Sequence, residues 1–516
     1  MPDAGNTAAP EPLPNYDVAD PVAPGYVEAG LDPATLQPTP GESAMLSKRL
    51  RTGHIWAMGV GSVITGEYFG WNGGLGVAGP IGMLIASLFV CVLYMAWVLS
   101  LAELSVAMPF AGGPLAYGRR AVGPWLGFLM GWSMLLESLF ATIGTAIATG
   151  GYIYFILNLL IKDSSKPWVT TVAALVTVLL FAILQWRGVQ SQAKVMEWMT
   201  YGAIVALVWF WIACIPGIQV SRIFTNPILP FGWKGVLLAI PYAIWWLVII
   251  ESVALAAEEA HEPHKTIPRG LAYAQVTLIV LVVVTWFVVS SAAQDYRKIG
   301  ESSLLFPLPA VYQEVWPGKG HMPHLLAFSV LAICGMVASY NGMIFAVSRQ
   351  AFSLGRAGYL PSFLGYVHPV RRTPDLAIGV GTVVVGAFVM WNFFNENAVT
   401  IAVLTCNLTA LVWYSLAIVC LFLLRKNEPG MSRPYKVPLY PILPAAVLVM
   451  SVASAVIYGW SQESTVLWLT AGMYAIGLAY YFGYARSRLT HSAPEEVAAR
   501  RALEGLSADD TPVTPR

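Results

Sequence analysis

Twelve apolar runs of about 20 residues shape everything this chain can become. They lie at 54–75, 81–108, 125–157, 168–186, 196–217, 235–258, 271–293, 325–352, 376–394, 398–424, 441–460 and 464–485. A run of that length crosses the hydrocarbon core of a bilayer as a helix, and a helix satisfies its own backbone polar groups there. The expected class is therefore all-α and integral to a membrane, with twelve transmembrane helices. Composition agrees: 57% of residues are hydrophobic and 11% are charged, too few charges to coat a soluble surface, where about 25% is usual.

The basic residues orient the spans. With the N-terminus placed in the cytoplasm, 22 of the 29 Lys and Arg fall in cytoplasmic segments. The positive-inside bias thus predicts a multi-pass protein of the cytoplasmic membrane with both termini inside. Residues 1–44 carry nine prolines, seven acids and no Lys or Arg, the composition of a disordered tail. Residues 486–516 are polar and expected to be flexible. The domain between them runs over 45–485. The net charge of +1 argues for no nucleic-acid partner. The five cysteines all sit in apolar runs and read as small core residues, with neither disulfide nor metal spacing. The sequence shows no nucleophile elbow, phosphate loop or His-rich metal box, so we expect no enzyme and no cofactor. Scattered intramembrane acids suit a solute transporter.

The most informative acid is Glu67, in "VITGEYFGWNGG", where a carboxylate shares an apolar span with several glycines. Glu137 in span three and Glu251 in span six are two more. An acid inside a membrane is expensive and functional by default, although it often serves only as a structural partner.

Four longer stretches resemble one family. "AELSVAMPFAGGPLAYGRRAVGPW" follows span two, and "AAEEAHEPHKTIPRG" ends span six. "SYNGMIFAVSRQAFSLGRAGYLPSFLGYVHPVRRTPDLA" covers the end of span eight, and "SRPYKVPLYPILP" precedes span eleven. Together they resemble the amino acid–polyamine–organocation superfamily of permeases over roughly 45–485. "GEYFGWNGGLG" and "AIPYAIWWLVIIESVALAAEE" look most like its ethanolamine-permease branch.

The resemblance implies a leucine-transporter-type fold. Repeat one (about 54–217) and repeat two (about 235–424) form a 5+5 inverted repeat, with peripheral helices eleven and twelve at about 441–485. Helices one and six are broken at the midplane, and substrate sits between the breaks. Gly59, Gly61 and Gly66 support the first break; span six offers only Pro241. In amino-acid-transporting relatives a small triplet at the first break cradles the substrate carboxylate. Here the matching triplet is Thr65-Gly66-Glu67, and a Glu there repels a free carboxylate. The expected substrate is thus a small cationic amine without an acid group, such as an amino alcohol.

Candidate contacts are Ser62, Thr65, Gly66, Glu67, Tyr68, Glu137, Thr142, Trp245, Trp246, Glu251, Ser339 and Asn341, with Asn407, Phe69 and Trp71 nearby. Helix–helix hydrogen bonding and core packing are the plainer roles for the hydroxyls, amides and aromatics. Glu251, Glu258, Glu259, Arg349 and Arg356 are expected to gate the cytoplasmic side, with His261 and His264 beside them. Proton-coupled relatives often carry a Lys in span five; this chain has Ala203 there. A coupled proton, a coupled sodium ion and uncoupled uptake all stay open. A diamine or polyamine carrier, a neutral amino acid permease and a substrate-sensing receptor are the competing readings.

Overall fold

A computed structural model describes residues 50–489 apart from 111, 162–167, 188, 369–370, 372, 396 and 461–463. The tail expected at 1–44 and most of that expected at 486–516 lie outside the described residues, as do the side chains of 189–193, Glu258 and Lys319.

Among the described residues the architecture is helical, and the only extended pairing is an isolated parallel bridge between Leu50 and Ala260. In chain order the helices are α1 (Thr52–Val63), α2 (Thr65–Tyr68), α3 (Gly73–Ala107), α4 (Gly113–Ala121), α5 (Pro124–Leu160) and α6 (Trp168–Trp186). Then come α7 (Val189–Cys214), α8 (Gly232–Ile244), α9 (Ser252–Leu255), α10 (Pro263–Ala292), α11 (Tyr296–Ile299) and α12 (Pro307–Val315). The last five are α13 (Met322–Arg356), α14 (Asp375–Trp391), α15 (Ala398–Asn427), α16 (Ile442–Tyr458) and α17 (Ser464–Gly483). Eight of these (α3, α5, α6, α7, α10, α13, α15 and α17) are long and apolar enough to cross a bilayer, and α8, α14 and α16 are shorter apolar helices.

Two of the expected spans are not single helices. The first is α1 followed by α2, interrupted at Ile64. The sixth is α8, an irregular segment at 245–251, and then α9. Between α2 and α3 the chain reverses through Phe69–Asn72. The Asn72 side chain holds this turn, accepting from the Gly70 N–H at 2.9 Å and donating to the Ile299 carbonyl at 2.9 Å. Gly79, at φ +73°, kinks α3 just before Pro80, a backbone conformation that a side chain would strain.

α3 runs along α8, α15 along α5, and α13 between α5 and α7. Large apolar side chains such as Val383 and Trp468 stay on the outside, where lipid replaces water as their solvent.

Two stretches that carry the family resemblance meet in space, through contacts between residues 308 or more apart in the chain. Glu103, at the end of α3, is buried and takes a two-pronged ion pair from Arg425 of α15, with Nη2 at 2.5 Å and Nε at 2.8 Å. Arg433 approaches the same carboxylate at 3.6 Å, and the Val437 N–H donates to it at 2.7 Å. Arg120 of α4 pairs with Glu428 at 2.6 Å. A buried carboxylate with this many donors is stable only while they remain. Glu103→Gln should strand two arginines and lower stability by about 3–5 kcal/mol; thermal unfolding in detergent checks this, and an unchanged melting temperature would show the cluster to be dispensable.

Candidate functional site

The two interrupted helices touch at their interruptions. A methyl group built on Gly66 would lie 2.6 Å from the Trp245 carbonyl oxygen and 3.1 Å from the Trp246 Cα, so only glycine permits this approach. The site is built from how each interruption satisfies its freed backbone groups.

At the first, a hydroxyl from a distant helix is inserted into the hydrogen-bond ladder. Ser339 on α13 donates to the Gly61 carbonyl at 2.7 Å and accepts the Thr65 N–H at 2.9 Å, bridging two groups that an unbroken helix would join directly. The Thr65 hydroxyl donates to the Gly335 carbonyl at 3.2 Å. α13 therefore holds the broken helix open, and Ser339 and Thr65 spend their polar groups on that task.

At the second, no glycine is needed. The N–H groups of Trp245, Trp246 and Leu247 bond three residues back rather than four, tightening the chain as it leaves α8. This frees the Pro241 carbonyl, which accepts from the Asn407 side chain of α15 at 2.8 Å. Ile249 adopts φ +75°, and its N–H donates to the Glu251 carboxylate at 3.1 Å. Asn407 and Glu251 thus do for span six what glycines do for span one.

Aromatic rings close over the contact. Trp246 stacks on Trp71 with centroids 4.2 Å apart and donates to the Ser87 hydroxyl at 3.1 Å. Trp245 meets Phe69 edge-on at 5.4 Å, and its indole N–H has no hydrogen-bond partner. The Trp71 indole donates to the Glu67 carbonyl at 3.2 Å. Tyr68 is buried; its hydroxyl donates to the Ala203 carbonyl at 2.6 Å, and its own carbonyl accepts from Tyr152 at 3.1 Å.

The acids divide into two places. Glu67 is fully buried with neither carboxylate oxygen in a closed hydrogen bond. It lies on the face of α2 turned toward α10 and α3, where Thr285 and Cys91 are its neighbours. Glu137 and Glu251 come together instead. The Trp413 indole donates to Glu137 Oε2 at 2.5 Å, and the Tyr414 hydroxyl reaches Glu251 Oε1 while standing 3.5 Å from Glu137 Oε1. Tyr94 on α3 adds its hydroxyl 3.1 Å from that of Tyr414.

Other candidates serve helix packing. Ser62 accepts from Ser252 at 3.2 Å, tying α1 to α9. Thr142 donates within its own helix to the Ser138 carbonyl at 2.6 Å. Asn341 accepts from Gln185 of α6 at 3.0 Å, on both its backbone and side-chain oxygens.

Below the second interruption, Arg349 and Glu259 form a fully buried ion pair at 2.8 Å, with the guanidinium 4.2 Å above the Phe345 ring. Next to it Leu50 is strapped to the end of span six, its N–H donating to the Glu259 carbonyl at 3.0 Å and its carbonyl accepting from His261 at 2.8 Å. Arg356 stacks over Phe352 at 4.9 Å. The side chain of Glu258 lies outside the described residues. Two surface grooves are lined by Trp186, Arg371 and Leu376 (about 660 Å³) and by Tyr312, Trp316 and His321 (about 300 Å³); neither borders an interruption.

Residues not singled out from the sequence are Tyr414, Trp413, Tyr94 and Thr285. "LVWYSL" in span ten carries the first two, but an aromatic pair in an apolar span is indistinguishable by pattern from packing.

Two helices interrupted opposite each other inside a multi-pass bundle, with buried acids beside them, suit a membrane transporter. Comparison with known sequences agrees: residues 52–479 match the family described as amino acid permease, and the chain belongs to that family. It is 29% identical to an uncharacterized transporter of Rhizobium meliloti, covering 82% of this chain and 89% of the relative. It is 24% identical to the branched-chain amino acid permease BcaP of Bacillus subtilis, over 87% and 95% of the two chains. It is 27% identical to the methylthioribose transporter of Bacillus subtilis, over 86% and 95%. The family places the chain in the amino acid–polyamine–organocation superfamily as a multi-pass membrane permease for a small organic solute.

Gly66→Ala should push the two interruptions apart, an overpacking cost of about 1–3 kcal/mol, whereas Gly379→Ala has nothing within 4 Å to meet. Thermal unfolding of the two variants checks this, and equal melting temperatures would mean that the close contact is not built into the resting fold. Arg349→Gln removes the buried ion pair to Glu259, so this end should open. Labelling of a Ser62→Cys background by an impermeant thiol reagent is expected to speed up at least tenfold; an unchanged rate would show that the ion pair does not hold the path shut.

Proposed function

We propose that this permease is a secondary transporter that imports a small organic amine, an amino alcohol of the ethanolamine kind, across the cytoplasmic membrane by alternating access. The topology we assign is twelve spans in a 5+5 inverted repeat with both termini cytoplasmic, over a transporter domain at 45–485. The two interruptions, in the first and sixth of the apolar stretches, support that repeat, as does the cytoplasmic bias of Lys and Arg.

The observation that carries the substrate class is Glu67. A carboxylate that is fully buried, with the Thr285 hydroxyl beside it and no cation next to it among the described residues, costs several kcal/mol unless a positive charge or a proton joins it. An ammonium entering beside the first interruption supplies that charge, and the Trp71–Trp246 stack and Trp245 offer ring faces worth about 0.5–2 kcal/mol to it. A free α-carboxylate in the same place would face repulsion from Glu67. An inside-negative potential of 100 mV drives a monovalent cation inward by about 2.3 kcal/mol, so uptake of such an amine has a source of energy even before any coupled ion.

A second reading has its own support: the relative BcaP is named as a branched-chain amino acid permease. In that reading Glu67, turned toward α10 and α3, serves an ion and not the solute.

Reconstituted vesicles given labelled ethanolamine, putrescine, alanine and leucine separate the readings. Saturable ethanolamine uptake, unaffected by leucine and weakened at least tenfold in affinity by Glu67→Gln, is the expected result. Saturable leucine uptake that ethanolamine does not inhibit would overturn it.

A further inference from the structure

We propose that Glu137 and Glu251 form one shared proton site, held by Tyr414, which is loaded when the second interruption is closed and unloaded when it opens. The coupling role rests on the transporter reading above but not on the amine substrate.

The geometry is that of three elements meeting at one hydroxyl. Glu137 comes from α5, Glu251 from the irregular segment after α8, and Tyr414 from α15. All three side chains are fully buried. The Tyr414 hydroxyl touches Glu251 Oε1 and stands 3.5 Å from Glu137 Oε1, so a single O–H serves two carboxylates. It has one proton to donate and can satisfy only one of them at a time. The Ile249 N–H adds a donor to Glu251 and the Trp413 indole one to Glu137, while Glu251 Oε2 is left without a partner.

The other titratable groups that face the pair are Tyr94 of α3, Cys406 of α15 and Tyr474 of α17. None of them is cationic. Two carboxylates this close in a low-dielectric interior, with no cation beside them, cannot both carry a charge. A single proton resolves the conflict: it neutralises one acid and lets that acid donate to the other.

The site is also placed to sense movement. Glu251 accepts from the Ile249 N–H, and Ile249 is the residue whose left-handed backbone shapes the irregular segment. Any motion that straightens this segment carries Glu251 away from Glu137 and Tyr414. Separated and hydrated, both acids ionise, and the proton passes to water on the side to which the path has opened. The position at which proton-coupled relatives place a lysine is closed to that use here: Ala203 is buried and its carbonyl is held by Tyr68.

Infrared difference spectroscopy of the full chain in lipid vesicles, scanned over pH, tests the site without any substrate. A carbonyl stretch from a protonated carboxylic acid should appear and titrate. It should vanish in Glu137→Gln and in Glu251→Gln, and its titration midpoint should move in Tyr414→Phe, a milder change that keeps the test open if a Gln variant fails to insert. No titrating acid band, or one that all three variants leave untouched, would overturn the proposal. A second arm follows a pH dye inside vesicles as ethanolamine or leucine is added. Glu251→Gln should cut solute-dependent proton movement at least tenfold; undiminished movement would overturn the coupling role. If neither solute moves protons or label, the amine reading falls, and the infrared arm alone decides the proton site.

Discussion

The structure turns on a backbone contact, the approach of Gly66 to the Trp245 carbonyl. Helices that cross a membrane are normally sealed units, because each satisfies its own backbone hydrogen bonds. Interrupting one exposes donors and acceptors that lipid cannot serve. This chain does it twice, and places the two openings against each other so that each is shielded by protein. The surrounding arrangement follows from that choice. α13 must run beside span one to bring Ser339 to the Gly61 carbonyl and the Thr65 N–H. α15 must run beside span six to bring Asn407 to the Pro241 carbonyl. The helices that look like scaffold are thus the source of the groups that make the interruptions affordable.

The aromatic and ionic contacts then divide the molecule along its length. The Trp71–Trp246 stack and the Phe69–Trp245 edge contact lie at the interruptions, and the Arg349–Glu259 pair with the Leu50 strap lies beyond them. A buried ion pair adds little net stability, since desolvation consumes most of the attraction. Its value is that the two halves must stay together: parting them leaves charges unmet unless water enters. A contact that is stable when dry and easily parted when wet is suited to closing one end of a path.

How much of this was legible in the sequence depended on what each feature leaves behind. Apolar length marks a helix without reference to its neighbours, so the stretches around α6 (Trp168–Trp186) and α15 (Ala398–Asn427) were placed to within a few residues. Glycines marked the first interruption. The second left only Pro241 as a local trace, because one of its stabilisers, Asn407, lies 166 residues from the carbonyl it serves. That Arg349 and Arg356 face the acids at the end of span six was an expectation of the sequence, since charges in apolar surroundings have few possible partners; which acid Arg349 meets, Glu259, comes from the structure. Ser339 and Asn341 were readable as polar residues of span eight but not as to direction. One turns to the interruption and the other to Gln185 on the opposite side.

The three intramembrane acids show the same limit most sharply. In the sequence Glu67 and Glu137 are each a lone carboxylate in an apolar span. In space Glu137 meets Glu251 and the Trp413 and Tyr414 side chains, while Glu67 stands apart beside Thr285. A carboxylate that already holds an indole N–H and shares a phenol has less to gain from an incoming cation than one with only a threonine hydroxyl beside it. The difference separates a group that can hold a proton within the protein from one that awaits a charge from outside it. It also weakens the case for a diamine, whose second ammonium would have to displace the hydrogen bonds already made at Glu137.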